Sequence, residues 1–273
     1  GGDGWDYGIR DVTPRGSYWQ DEKGNELRIA AVINCHYGNV IYLDDHLKML
    51  GYSNVEEICS DELEEKLWSN LYSFDAIVIG DRGLLNGTNA SHPSYKIGVE
   101  SFGNHRYELE KWIRDGGVFI DLWGEGDPND YSWDDGTSYD VVWTGAYGNC
   151  DCPHNYQWNA SVSISRFPND LTRNSYPINT AVDSYSYWGC CEDRGEFSSF
   201  QGYTAVAWED GDTSAVSWVV KKLGKGKVLR TTWELDWVAH SPDCWKGNND
   251  CLAFEENIFT WAFDEIILAN DFI

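Results

Sequence analysis

Three short, mostly apolar runs constrain this chain more than anything else in it: LRIAAVIN at 27–34, FDAIVIG at 74–80 and VFIDLW at 118–123. Each has the length of a strand, is bounded by charge or glycine, and shows no polar face. Strands read this way when helices cover both sides of a parallel sheet. The segments between them follow the other period. From Asn39 to Leu50, the apolar residues Val40, Leu43, Leu47 and Leu50 share one helical face, and Gly51 ends the helix. Asn54 to Ile58 reads as a short strand, and Asp61 to Asn70 as a helix with Leu63, Leu67 and Leu71 turned inward. The alternation predicts an α/β, three-layer sandwich whose mostly parallel sheet is joined by right-handed crossovers.

Residues 81–101 read as a long polar loop, followed by a helix from about Gly103 to Asp115 with Phe102, His105, Leu109, Trp112 and Ile113 on one face. His105 is expected to be an inward histidine with satisfied nitrogens. Gly116-Gly117 stops that helix, the third apolar run follows, and an acidic glycine-rich turn, Gly124-Glu-Gly-Asp127, leaves it. In an open α/β sheet such a turn, at the carboxyl end of a central strand, is where ligands and catalytic groups sit. Here it holds no Cys, Ser or His.

From about 124 to 202 the pattern breaks into short pieces separated by Gly, Pro, Asn and Asp, although 139–144 and 160–165 alternate like strands. This stretch is expected to be an irregular insertion tied by disulfides. Regularity returns in strands at 203–208, 214–220 and 228–233, and residues 253–268 close the chain as a helix apolar on nearly all sides, hence buried. The expected organisation is an arm, 1–26, and a single domain, 27–273, carrying the insertion. The arm is rich in glycine and aromatics and has neither period. Trp5, Tyr7, Tyr18 and Trp19 are large rings with few rotatable bonds, suited to anchoring the arm against a neighbouring copy of the chain.

Composition narrows the setting. A net charge of −25 repels phosphate backbones and anionic lipid, which excludes nucleic acid as a partner. No apolar run approaches the roughly 18 residues of a membrane span. With 15 Trp and 16 Tyr, some rings must lie at the surface, where they suit protein interfaces or stacking on glycans. Eight cysteines and the sequons at Asn86, Asn89 and Asn159 point to an oxidising, secreted or cell-surface location. No signal-peptide pattern opens the sequence, which reads as a processed mature chain.

FDAIVIGD at 74–81, LEKWIRDGGVFIDLW at 109–123, LGKGKVLRTTWELD at 223–236 and FEENIFTWAFDEI at 254–266 occur in an order that resembles the class I glutamine amidotransferase-like fold. That flavodoxin-like sandwich is shared by amidotransferases, trehalose-utilisation-like proteins and accessory domains of some galactosidases. Catalytic members are similar to G-x-C-x-G after the elbow strand, with a His-Pro-Glu type motif after a late strand. Here the elbow position falls on Gly124 or Gly126, and the late strand is followed by Trp233-Glu-Leu-Asp236, with His240-Ser-Pro-Asp243 only beyond it. The resemblance thus implies the fold without the covalent chemistry. It also implies that the first two strands are neighbours, which brings Cys35 and Cys59 within bridging distance. Cys244 and Cys251 flank a polar loop that a local bridge would close, leaving Cys150 and Cys152 to pair with Cys190 and Cys191 in either combination.

Two chemistries remain open. Asp121, Glu125, Asp127, Asn129, Asp130, Asp134 and Asp135 crowd the end of the third apolar run. Dense carboxylates suit Ca²⁺, which takes oxygens at flexible geometry. Alternatively, Asp121 and Glu125 could serve as the acid and base of a carbohydrate-active hydrolase, with Trp123, Trp133 and Trp143 as stacking platforms. The leading expectation is a non-catalytic secreted or cell-surface glycoprotein domain acting in self-assembly or ligand binding.

Overall fold

The first apolar run forms β1 (Ile29–Ile33), buried at every residue. It pairs in parallel with β2 (Val55–Cys59) on one side and β3 (Ala76–Ile79) on the other, with Ile29 opposite Val55 and Ala76. β4 (Val118–Asp121) continues beside β3, and β12 (Gly226–Thr231) beside β4, all parallel. The order β2-β1-β3-β4-β12 is that of a flavodoxin-like sheet, with its reversal of direction between β1 and β3. The structure is a computed structural model and describes residues 27–36, 43–49, 52–80, 83–86, 92–94, 96–122, 138–139, 146–149, 160–163, 184–187, 196–200, 202–209, 216–231, 259 and 262–263.

Alternation along the strands sends Ala30, Val32, Ile77, Ile79, Phe119 and Val228 to one face of the sheet. There they pack on Leu63 and Leu67 of a π-helical turn (Leu63–Leu67), on Trp68 and Leu71 of the 3₁₀ segment it runs into (Trp68–Ser73), and on two helices. These are α2 (Ile97–Asn104), which gives Phe102, and α3 (Arg106–Asp115), which gives Leu109, Trp112 and Ile113. Ile29, Ala31, Ile33, Val78 and Ile120 are buried on the other face, where α1 (Leu43–Met49) lies against β1 and β2. The Tyr52 ring meets Phe259 and Phe263 there, at centroid distances of 6.3 and 5.1 Å. Phe259, Ala262 and Phe263 are buried helical residues of the closing segment. Helices on both faces make the three layers.

Two local expectations need correction. The segment 81–101 is not loop throughout, because α2 begins at Ile97. The helix expected from 103 to 115 is two, broken at His105, whose backbone (φ −97°, ψ 12°) leaves the helical region. Gly98, Ser101, Gly103 and Asn104 are weak helix formers, so propensity hid α2. Burial of Phe102 against Trp68, with ring centroids 4.8 Å apart, outweighs it.

The sheet does not stop at β12. β11 (Val216–Leu223), β10 (Thr204–Glu209), β7 (Ala160–Ser163) and β8 (Ser184–Tyr187) extend it antiparallel to nine strands. β5 (Ser138–Tyr139), β6 (Ala146–Asn149) and β9 (Glu196–Phe200) form a separate small sheet. The insertion therefore supplies two strands to the main sheet. The hairpin joining β11 to β12 is held under α3: Lys225 N donates to Arg114 O at 2.9 Å. Gly224 takes a positive φ of 65°, and a Cβ at Gly226 would stand 2.0 Å from Ile113 O, so this close approach of backbone to backbone requires glycine.

Candidate functional site

In a sheet of this order, ligands bind outside the carboxyl ends of the strands where the order reverses. That rim here carries Asn34, Cys35 and His36 after β1, Ser60 and Asp61 after β2, and Gly80 and Gly83 after β3. Among the described residues, backbone contacts tie its strand ends to one another. Gly80 N donates to Val32 O at 3.0 Å, and Gly83 N to Gly80 O at 2.9 Å. A Cβ at Gly83 would lie 2.4 Å from Val32 O, so the turn after β3 folds down onto the end of β1. Ser60 Oγ donates to Leu85 O at 2.7 Å, and Ser60 N to Ile33 O at 3.2 Å, which ties the three strand ends together.

Cys35 and Cys59 form a disulfide with Cα atoms 5.4 Å apart. The register explains it: Cys59 stands opposite Ile33, and Cys35 lies two residues beyond on the neighbouring strand. Glu57 Oε1 is 3.9 Å from the Cys35 sulfur. Two sulfurs and a carboxylate within 4.8 Å of one another would be a soft-metal donor set only as thiolates. Bonded to each other, the sulfurs are not ligands, and the adjacent carboxylate disfavours the Cys35 thiolate that would leave if an external thiolate attacked the Cys59 sulfur. His36 Nε2 faces Asp61 Oδ2 at 3.2 Å, both well exposed, and such a pair contributes little.

Farther along the rim, Asp121 ends β4 and Arg230 stands opposite it on β12. Arg230 Nε donates to Asp121 Oδ2 at 2.8 Å, and the side chains are 2% and 0% exposed. Both point to the α2/α3 face, in the same row as Val32 and Ile79. Ions this deep keep their charge only when paired and hydrogen-bonded.

A second polar cluster lies outside the sheet, at the break between α2 and α3. His105 Nδ1 meets Glu108 Oε2 and its Nε2 meets Glu64 Oε2, each at 2.9 Å. Ser101 Oγ donates to Glu64 Oε1 at 2.6 Å and accepts from Trp68 Nε1 at 2.6 Å. The imidazole stacks on Trp68 at 4.5 Å and 12°. Burial pushes His105 down, but hydrogen bonds to Glu108 and Glu64 outweigh it and hold the imidazole above its ordinary value. The Ser101 hydrogen bond, and then His105, keep Glu64 below the usual carboxylate value against the opposing effect of burial. Ser101 spends its proton on a carboxylate rather than on the imidazole, so the arrangement clamps the helix junction and activates no nucleophile.

Of the residues singled out from sequence, Asp121 is sealed against Arg230, Cys35 and Cys59 are bridged, and Asn86 is half-buried in the turn after β3. Glu125, Asp127, Asn129, Asp130, Asp134, Asp135, Cys150, Cys152, Cys190, Cys191, Cys244, Cys251, Asn89, Asn159, Trp5, Tyr7, Tyr18 and Trp19 lie outside the described residues. His105 has the satisfied nitrogens expected of it. The Arg230 partnership was missed, though it had a signal: an arginine in one apolar strand and an aspartate in another must find each other or a counter-ion. The Glu64–His105 contact had none, since 41 residues separate the partners.

No family model matches the chain, and no curated protein does. Solved structures do. The cytoplasmic protein STM3548 from Salmonella typhimurium aligns at a TM-score of 0.50 with 10% identity, over 85% of this chain and 98% of that one. The mmIFT52 N-terminal domain aligns at 0.50 with 11% identity, over 87% and 97%. A GMP synthase-like protein from Thermoplasma acidophilum gives 0.46 at 14%, over 89% and 98%. β-Galactosidases are also among the matches, below 0.5. At these identities the likeness concerns fold alone.

Proposed function

We propose that this chain is a non-catalytic domain of an oxidising, extracellular or cell-surface setting that works by binding, either a ligand such as a glycan or further copies of itself. One observation supports the reading above the others: among the described residues at the carboxyl rim of the sheet, Cys35, Cys59 and Asp121 are committed to structure. Cys35 is bridged to Cys59, Asp121 is held by Arg230, and Gly80 and Gly83 lie against the end of β1, beside the point where the strand order reverses. A bridged pair at the strand ends suits an oxidising compartment. Among the described residues, no helix is long and apolar enough to cross a membrane.

The test takes the purified full chain through a panel of glycan substrates and a glycan-binding array, and measures its solution mass across a concentration series. The reading expects no turnover, together with glycan binding or association. Turnover abolished by Glu125→Gln would replace it with the carbohydrate-active hydrolase. A monomer that neither turns over nor binds any glycan would also overturn it.

A further inference from the structure

Tyr72 and Tyr107 are 58% and 67% exposed, the exposed large apolar side chains among the described residues. Each is held by a cation. Lys111 Nζ donates to Tyr72 Oη at 3.0 Å and stands 5.1 Å from its ring centroid. Arg106 Nη2 donates to Tyr107 Oη at 2.7 Å, with the guanidinium 4.5 Å over the ring. Tyr107 and Lys111 are one turn apart on α3, so the two tyrosines and their cations form a continuous strip on the outer side of the helix. Rings already oriented in this way lose little freedom on contact and offer broad faces, the composition that dominates binding hot spots.

The strip ends where residues 1–26 join the domain. Arg28 Nη1 donates to Ser73 Oγ at 2.6 Å, beside Tyr72, and the Arg28 guanidinium lies 4.4 Å over the Phe74 ring. Arg28 N donates to Asp75 Oδ2 at 2.8 Å, which pins the start of β1 at this edge. Residues 1–26 hold four aromatic side chains of Trp and Tyr, whose faces can stack on the rings of the strip, while the Lys111 charge is already met by Asp115 at 2.7 Å. Trp19 lies eight residues before Leu27 and so reaches roughly 26 Å from it when extended. The strip spans about two helical turns, roughly 11 Å. A tether this short gives an effective concentration in the millimolar range, which favours the attached arm over one from another molecule.

We propose that the strip of Tyr72, Tyr107 and Lys111 is the docking site of the chain's own residues 1–26, with Tyr18 and Trp19 as the rings that cover it. Docking here neither requires nor excludes a separate binding surface for ligand or copies, so it stands apart from the functional reading above. Hydroxyl-radical footprinting of the full chain reads it directly through oxidation of Tyr72 and Tyr107. A full-length variant with Trp5→Ser, Tyr7→Ser, Tyr18→Ser and Trp19→Ser keeps length and charge and should oxidise at both tyrosines several-fold faster. Protection in the unaltered chain should be the same across a hundredfold range of concentration. Equal oxidation in variant and unaltered chain would overturn the proposal. Protection that grows with concentration would also overturn it, by giving the site to a second copy.

Discussion

Arg230–Asp121 and Lys111–Asp115 are ion pairs of nearly equal length, 2.8 and 2.7 Å, in opposite surroundings. The first is sealed between β4 and β12, and the second stands on the outside of α3 with side chains 68% and 54% exposed. Water screens the outer pair and would solvate either partner alone, so forming it changes little. Nothing solvates a lone charge beside β4, so each member of the inner pair makes the other tolerable. Length alone therefore does not rank ion pairs; the cost of the unpaired state does. The His105 cluster lies between these limits, with the imidazole 26% and Glu64 66% exposed.

The sharpest way to break the comparison is to remove one inner partner. Asp121→Ala should cost about 3–5 kcal/mol by denaturant unfolding, whereas Asp121→Leu combined with Arg230→Met should recover most of that loss. A double variant as unstable as the single one would mean that the pair attracts by more than its desolvation, contrary to the argument. Next in size is the bridge at the strand ends. Cys35→Ser frees a loop of 24 residues' separation and should lower stability by roughly 3 kcal/mol, read as a lower midpoint with a steeper slope, because the unbridged denatured chain exposes more surface.

The intermediate cluster should show itself in pH. A raised His105 value means that the folded chain holds the proton more tightly, so the contribution is complete below about pH 6.5 and is lost as pH rises through the folded value. Glu64, held low, contributes fully above its ordinary value near 4.5, and its share is lost as pH falls through the lowered one. The stability gap between the unaltered chain and His105→Gln should therefore be widest between about pH 4.5 and 6.5, and should narrow at higher pH. A gap independent of pH would assign His105 a packing role on Trp68 alone. At the outer limit, Lys111→Met should shift the unfolding midpoint least of these, because its partners Asp115 and Tyr72 are exposed and water can solvate each of them alone.

Much of the parallel half was legible in residues alone. β1, β3 and β4 are apolar at every position but Asp121, and the leucines at 43, 47, 63, 67 and 71 fall inward on the expected helical faces. The antiparallel half was harder, because β7 and β8 are four-residue strands of Ser, Tyr, Ala and Val whose membership in the main sheet depends on which edge they meet. The rim was least legible. Gly80 and Gly83 look like an ordinary turn until the end of β1 is placed beneath them.

What the sequence determined by itself was local: the period of the described segments, the stop at Gly116, and the class of fold that apolar strands between amphipathic helices can build. Burial and backbone hydrogen bonding act over a few residues there, so the pattern carries the information. Tertiary structure alone decided which residues face each other across long separations. Asp121 and Arg230 are 109 residues apart, and the charge each carries into an apolar strand calls for a counter-ion without saying which. They meet because β12 takes the place beside β4 that the strand order assigns it, in a register that sets two charges in one buried row. Once the surrounding core has excluded water, that meeting turns two side chains that could have reacted into part of the frame.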